Sequence, residues 1–129
     1  GDTRDGVMAH VRSAVGKVVD MAHVKVEALP GAKEASKVAP TGSVQYRRLN
    51  QTIREVFPDA LVAPGLMVAA TDSVHYEPIS DHIFKFSPVR ANSEDLKRFH
   101  GTNERLSVKG YADAIRFYHR LITQLSNGQ

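Results

Sequence analysis

The sequence predicts an α/β (α+β) fold, on three observations. Apolar residues recur at helical spacing in three segments, near 3–19, 43–57 and 107–125. His23 to Leu29 alternates apolar and polar, the pattern of a half-buried strand. Leu61 to Ala70 is nearly all apolar with no alternation, as a strand buried on both faces would be. With 129 residues, 42% of them hydrophobic and 24% charged, the composition is that of an ordinary globular domain and excludes a disordered chain.

The elements follow in chain order. Val7, Val11, Val15 and Val18 mark one face of a first helix, with Asp2 or Thr3 as its N-cap. Val24, Val26 and Ala28 give the inner face of a strand over 23–29, stopped by Pro30-Gly31. Residues 30–42 hold two prolines and two glycines and show the least periodicity, so a domain boundary is expected there, between 1–38 and 39–129. A second helix starts near Ser43 with Tyr46, Leu49, Ile53 and Phe57 on one face, and Pro58 closes it. Pro64 confines the next strand to about 65–70. The polar run Thr71 to Tyr76 leaves that strand, at the place where open α/β sheets put ligand loops. A short strand is expected over 82–87, a brief helix over 94–98 capped by Ser93, and a loop over 99–104. The last helix begins near Ser107, carries Tyr111, Ala114, Ile115, Tyr118, Leu121, Ile122 and Leu125 on one face, and ends before Gly128.

Several function classes fall away at once. The chain has no cysteine, which excludes disulfide scaffolds, Cys-ligated zinc and thiol catalysis but leaves the compartment open, cytoplasmic or secreted. No apolar run approaches the length of a membrane span, and no signal peptide is visible. The net charge of +3 comes from dispersed basic residues whose densest groups are pairs, Arg47-Arg48 and Lys97-Arg98, so no nucleic-acid partner is expected. Neither a Gly-x-Ser-x-Gly elbow nor a glycine-rich phosphate loop is present.

Six histidines raise the question of metal. No pair stands at i, i+4, the spacing by which one helix presents two imidazoles to one ion. Asp72, His75, Glu77, Asp81 and His82 are close in sequence but divided by a turn, so they read either as a metal cluster or as polar loop residues that meet water. His10, His23 and His119 lie on amphipathic elements and read as surface groups. His100 is followed by Gly101, which permits close backbone approach, and by Asn103-Glu104, which can hydrogen-bond an imidazole or the loop. It is either a metal ligand or a residue that braces its loop.

Three segments in order carry a resemblance: Thr71-Asp72-Ser73-x-His75-Tyr76, then Ile83-Phe84-x-Phe86-x-Pro88, then His100-Gly101-x-Asn103-Glu104-Arg105-Leu106-Ser107. With the helix Tyr46 to Phe57 ahead of them, they resemble the C-terminal part of the dizinc aminoacylase/carboxypeptidase family. This is the peptidase M-twenty clan, and the likeness is to its carboxypeptidase S-like branch. It covers nearly the whole chain. The family pattern is broken in two places: Ala69-Ala70 stands where Gly-Gly is usual, and Val74 where Arg is common, which bears on specificity.

The resemblance implies a three-layer αβα catalytic domain of the zinc-exopeptidase type, of which 39–129 would be the C-terminal segment. Residues 1–38 would be the last helix and strand of an inserted ferredoxin-like lid or dimerisation domain. It implies His100 as a ligand to one of two zinc ions, and Thr71 and Asp72 as lining of the substrate pocket. Asn103 and Glu104 would support the ligand without touching metal. The remaining ligands and the glutamate general base would lie upstream of Gly1, which opens without a Met directly into a helical pattern. The expected activity is hydrolysis of N-acyl amino acids or small peptides, with this segment alone inactive. The expected partners are the complementary N-terminal part of the same protein or a second copy. The rival reading is a non-enzymatic dimerisation or interaction module that retains part of the fold.

Overall fold

Four side chains with oxygen acceptors start the α-helices of the chain. In a computed structural model that describes residues 2–69 and 71–127, these are α1 (Arg4–Gly16), α2 (Val44–Val56), α3 (Ser93–Leu96) and α4 (Val108–Ser126). Thr3 accepts from the Gly6 N–H, Ser43 from Tyr46, Asn92 from Glu94 and Asp95, and Ser107 from Gly110. Each such cap satisfies a donor the helix leaves unpaired and contributes about 1 kcal/mol. Thr3 and Ser107 are capping residues that the sequence pattern anticipates. At α3 the cap is Asn92 rather than Ser93, because Asn92 and Asp95 form a reciprocal capping box. Gly128, expected just past α4, lies outside the described residues.

The chain divides into two compact units, Gly1–Val38 and Ala39–Gln129. In the first, α1 buries no residue, and Val7 and Val11 stay largely exposed. A single 3-10 turn, Met21–His23, follows with Asp20 as its cap. Polar ties then fold the chain back on α1. The Arg12 Nη2 donates to the Val26 carbonyl at 3.1 Å, and the Arg4 N–H to Glu34 Oε2 at 2.9 Å.

The second unit is built on the packing of α2 against α4. Ile53, Phe57 and Phe117 are its buried apolar centre, flanked by Leu49, Val56, Ala60, Val62 and Leu121. Phe117 is 1% exposed and meets three rings: Phe57 stacked at 6.4 Å, Phe86 tilted at 5.3 Å and Tyr118 edge-on at 5.4 Å. Thr52 is fully buried on the same helix face, and its hydroxyl lies 2.5 Å from Gln124 Oε1 and 2.9 Å from the Arg48 carbonyl, so its polarity is satisfied. Beside it the Glu55 carboxylate receives Arg120 Nε (2.6 Å), Gln124 Nε2 (3.0 Å) and Gln51 Nε2 (2.8 Å). Segment 82–90 is drawn onto this pair of helices by Phe86 and Pro88. Arg90 locks it there with a two-pronged ion pair to Asp59 (2.8 and 2.5 Å) while its guanidinium stands 5.3 Å from the Phe57 ring.

The expected strands are not found. Segments 23–29 and 82–87 form no ladder, nor do 65–69, and Ala70 lies outside the described residues. A strand is a pairing relation, with a neighbour 4.7–4.9 Å away along the hydrogen-bond direction. Among the described residues none of these segments carries such pairing, so they run as irregular chain. Leu61, Leu66 and Val68 are 95%, 88% and 90% exposed. The helical half of the α/β expectation stands, and the three-layer architecture does not follow from the observed elements.

Two outcomes follow. Phe117→Ala removes the ring on which α2, α4 and segment 82–90 converge and is expected to cost about 3–5 kcal/mol in urea unfolding, whereas Ile115→Ala, on the exposed face of α4, stays within about 0.5 kcal/mol. The carboxyls of Glu55 and Asp59 are held below their usual values of 4.5 and 3.8, chiefly by hydrogen bonds from Arg120 and Arg90 respectively. Asp113 is likewise lowered, by Lys109 first and then Arg116. Carboxyls more acidic in the folded than in the unfolded chain stabilise it when ionised. Denaturation midpoints should therefore hold steady at neutral pH and fall as pH drops below 4.5 and on through 3.8.

Candidate functional site

Two polar segments carry the candidate residues, and each is shaped by its own short-range bonds. Thr71 caps a 3-10 helix, Asp72–Tyr76. Its Oγ1 accepts the Ser73 N–H at 3.1 Å and donates to Ser73 Oγ at 2.6 Å, so its hydroxyl is spent on holding the turn. Asp72 occupies the first position of that turn and is exposed, as are His75 and Tyr76, while Val74 is half-buried. An exposed carboxylate on a capped turn is free to meet a ligand's donors. Ala69 is described and exposed, but its neighbour Ala70, the second position of the departure from Gly-Gly, lies outside the described residues.

The second segment is the loop between α3 and α4. The Gly101 N–H donates to the Arg98 carbonyl at 2.9 Å, and Arg98 is itself paired with Asp95 at 2.7 Å. His100 has φ 60° and Asn103 φ 63°, the two non-glycine residues with positive φ among those described. Left-handed backbone costs about 1–2 kcal/mol for a residue bearing a Cβ, less for Asn, whose side chain can bond locally. Such residues persist only where their surroundings hold them. One restraint is visible: Glu104 Oε2 accepts the His100 N–H at 3.3 Å. The His100 side chain is exposed and makes no hydrogen bond or ion pair with another described residue.

The remaining candidates do not converge. Among the described residues no three His, Asp or Glu side chains come close enough to hold a metal ion. The proposed gathering of Asp72, His75, Glu77, Asp81 and His82 is therefore not formed. His10, His23 and His119 are exposed. As a donor, the open imidazole of His100 suits one position of a zinc site, but the described residues supply no companions. Sequence patterning did not reveal the positive φ angles: Asn103 is a residue type that tolerates them, but His100 is not. It also missed an apolar groove of about 230 Å³ lined by Phe57, Leu61, Val62, Phe86 and Pro88, because Leu61 and Val62 read as the approach to a strand.

Comparison with known proteins now bears on the site. No family model matches the chain, and no solved structure matches it significantly. Curated relatives do. A probable carboxypeptidase S-like protein of Dictyostelium discoideum is 36% identical over 122 residues, 95% of this chain and 23% of its own length. An N-fatty-acyl-amino acid synthase/hydrolase of Danio rerio is 34% identical over 125 residues, 93% of this chain and 23% of its own. A second probable carboxypeptidase S-like protein of Dictyostelium discoideum is 32% identical over 88% of this chain.

The chain belongs to the carboxypeptidase S-like peptidase M-twenty family.

It spans about a quarter of the length of these relatives, whose names are those of hydrolases. The matched stretch takes in both polar segments, since it leaves out only a few residues of the chain. No helix among the described residues is long and apolar enough to cross a membrane.

The loop geometry is directly testable. Asn103→Gly should leave urea stability within about 0.5 kcal/mol, because glycine adopts positive φ freely. Asn103→Val, β-branched at φ 63°, should cost about 1–2 kcal/mol.

Proposed function

We propose that this chain is a C-terminal segment of a zinc-dependent hydrolase that cleaves the amide bond of N-acyl amino acids or small peptides bearing a free carboxylate. The observation that carries this reading is the likeness to carboxypeptidase S-like proteins over 95% of the chain, with the His100–Glu104 loop inside the matched stretch. The names of the relatives support the substrate class, and the open imidazole of His100 supports one metal position.

In this reading His100 binds one of two zinc ions, and Asn103 and Glu104 hold its loop. Zinc in such a centre supplies Lewis acidity and a water acidic enough to ionise near neutral pH. Thr71 holds its turn with its own hydroxyl, and Asp72 on that turn orients a substrate at the pocket wall. The remaining ligands and the proton-accepting glutamate come from chain beyond these 129 residues. Strand partners for 65–70 and 82–87 come from there too, completing the three-layer αβα domain. Residues 1–38 belong to a lid or dimerisation domain. Val74, where the family pattern has Arg, alters substrate selection.

The exposed Leu61, Leu66 and Val68 support a further partner, either the complementary part of the protein or a second copy. Light scattering of the 129-residue chain should show self-association. Zinc analysis should show no tight stoichiometric metal, and N-acyl amino acids should not turn over. Tight zinc with turnover in this chain alone would overturn the reading. In the full-length protein His100→Ala should lose bound zinc and hydrolysis together.

A further inference from the structure

The loop between α3 and α4 holds an imidazole in a backbone conformation that histidine disfavours. His100 stands at φ 60° with its side chain exposed, and three residues on Asn103 repeats the left-handed turn at φ 63°. Two left-handed residues within four positions bend the loop tightly. The bend brings the Glu104 carboxylate back against the residue at which the loop opened. The contact it makes is with the backbone: Glu104 Oε2 accepts the His100 N–H at 3.3 Å.

We propose that Glu104 is the positioning residue for His100, and that it acts on the peptide backbone of the ligand rather than on its ring. This rests on the metal-ligand reading of His100 and adds the means by which the backbone carrying the imidazole is held. A carboxylate that supports a metal-bound histidine ordinarily takes the second ring N–H, fixing the tautomer and making the ligand more basic. Here the carboxylate is engaged one bond earlier. It restrains φ at His100, hence the direction in which Cβ leaves the chain, and leaves both ring nitrogens open. The other side of the residue is anchored by the Gly101 N–H on the Arg98 carbonyl at 2.9 Å. Asn103 supplies the turn that lets Glu104 reach back. The direction of the Cα–Cβ bond is thereby set before any metal arrives, which limits the backbone ordering that binding would otherwise require.

The two roles separate by substitution. The amide oxygen of glutamine also accepts a backbone N–H, so Glu104→Gln preserves a backbone brace, whereas a role that depends on carboxylate charge at the ring or metal is lost in Gln as fully as in Ala. Amide hydrogen exchange on the 129-residue chain reads the brace without metal. In Glu104→Ala the His100 amide should exchange about ten-fold or more faster, with α4 amides unchanged as the control for folding, and Glu104→Gln should keep most of the protection. In the full-length protein, zinc affinity by chelator competition should fall about 10- to 100-fold in Glu104→Ala and much less in Glu104→Gln. Unchanged His100 exchange in Glu104→Ala, or a Gln variant as damaged as Ala, overturns the proposal. Zinc affinity unmoved in Glu104→Ala but lost in His100→Ala overturns the positioning role alone. Zinc retained in His100→Ala overturns the metal-ligand reading beneath it.

Discussion

Phe117 is the point on which the larger unit turns. Its ring is almost wholly withdrawn from water and touches α2 through Phe57, segment 82–90 through Phe86 and its own helix through Tyr118. No ladder of backbone bonds joins these parts, so apolar contact must do what sheet pairing does in an α/β domain. Ion pairs then select the arrangement without supplying most of its energy, since exposed pairs contribute at most about 1 kcal/mol each. Arg90 serves in this way, gripping Asp59 while lying over Phe57, so that the polar and apolar fastenings of segment 82–90 meet at one side chain. Glu55 does the same between α2 and α4 through Arg120 and Gln124.

The helices and their starts were legible in the sequence because a helix is a local object, but the buried face of α4 was not: Tyr111, Ile115, Tyr118 and Ile122, read as its inner face, are exposed, and Phe117 is buried instead. The hydrogen bonds of a helix close within four residues, its buried face repeats every 3.6, and its first turn advertises an acceptor side chain. Thr3, Ser43 and Ser107 stood where the pattern put them. The strands were not legible in the same sense. Alternation over 23–29 and the apolar run over 61–70 state how each face is to be buried and say nothing of which chain will lie alongside. Val24 and Val26 are half-buried, as an inward face would be, yet Val26 gives its carbonyl to the Arg12 side chain and not to a neighbouring strand.

The candidate site divides along the same line. His100, Asn103 and Glu104 were visible as residue types at a spacing, and Thr71 as a residue preceding a polar turn. What the spacing could not convey is that positive φ at His100 and Asn103 bends the loop so that Glu104 meets the His100 amide. Backbone sign is encoded weakly: glycine permits it, asparagine tolerates it, and histidine adopts it only under restraint. The Thr71 turn poses no such difficulty, because its hydroxyl bonds two residues ahead and the turn closes on itself. One half of the site is therefore locally self-sufficient, whereas the other is held in a conformation that needs bracing.

That contrast matters because large apolar side chains of the second unit are left exposed. They include Leu61, Leu66 and Val68, on the segment that reads as a buried strand. Surface of that kind drives association, since hydrophobic free energy scales with the area withdrawn from water. The irregular segments are thus the parts whose structure depends most on what covers them, and the Thr71 turn follows one of them directly. The His100 loop instead runs straight into α4, which packs on α2. In the proposed reading, the His100 loop is oriented by contacts this chain already makes, whereas the Asp72 turn is placed by whatever covers the irregular segment ahead of it.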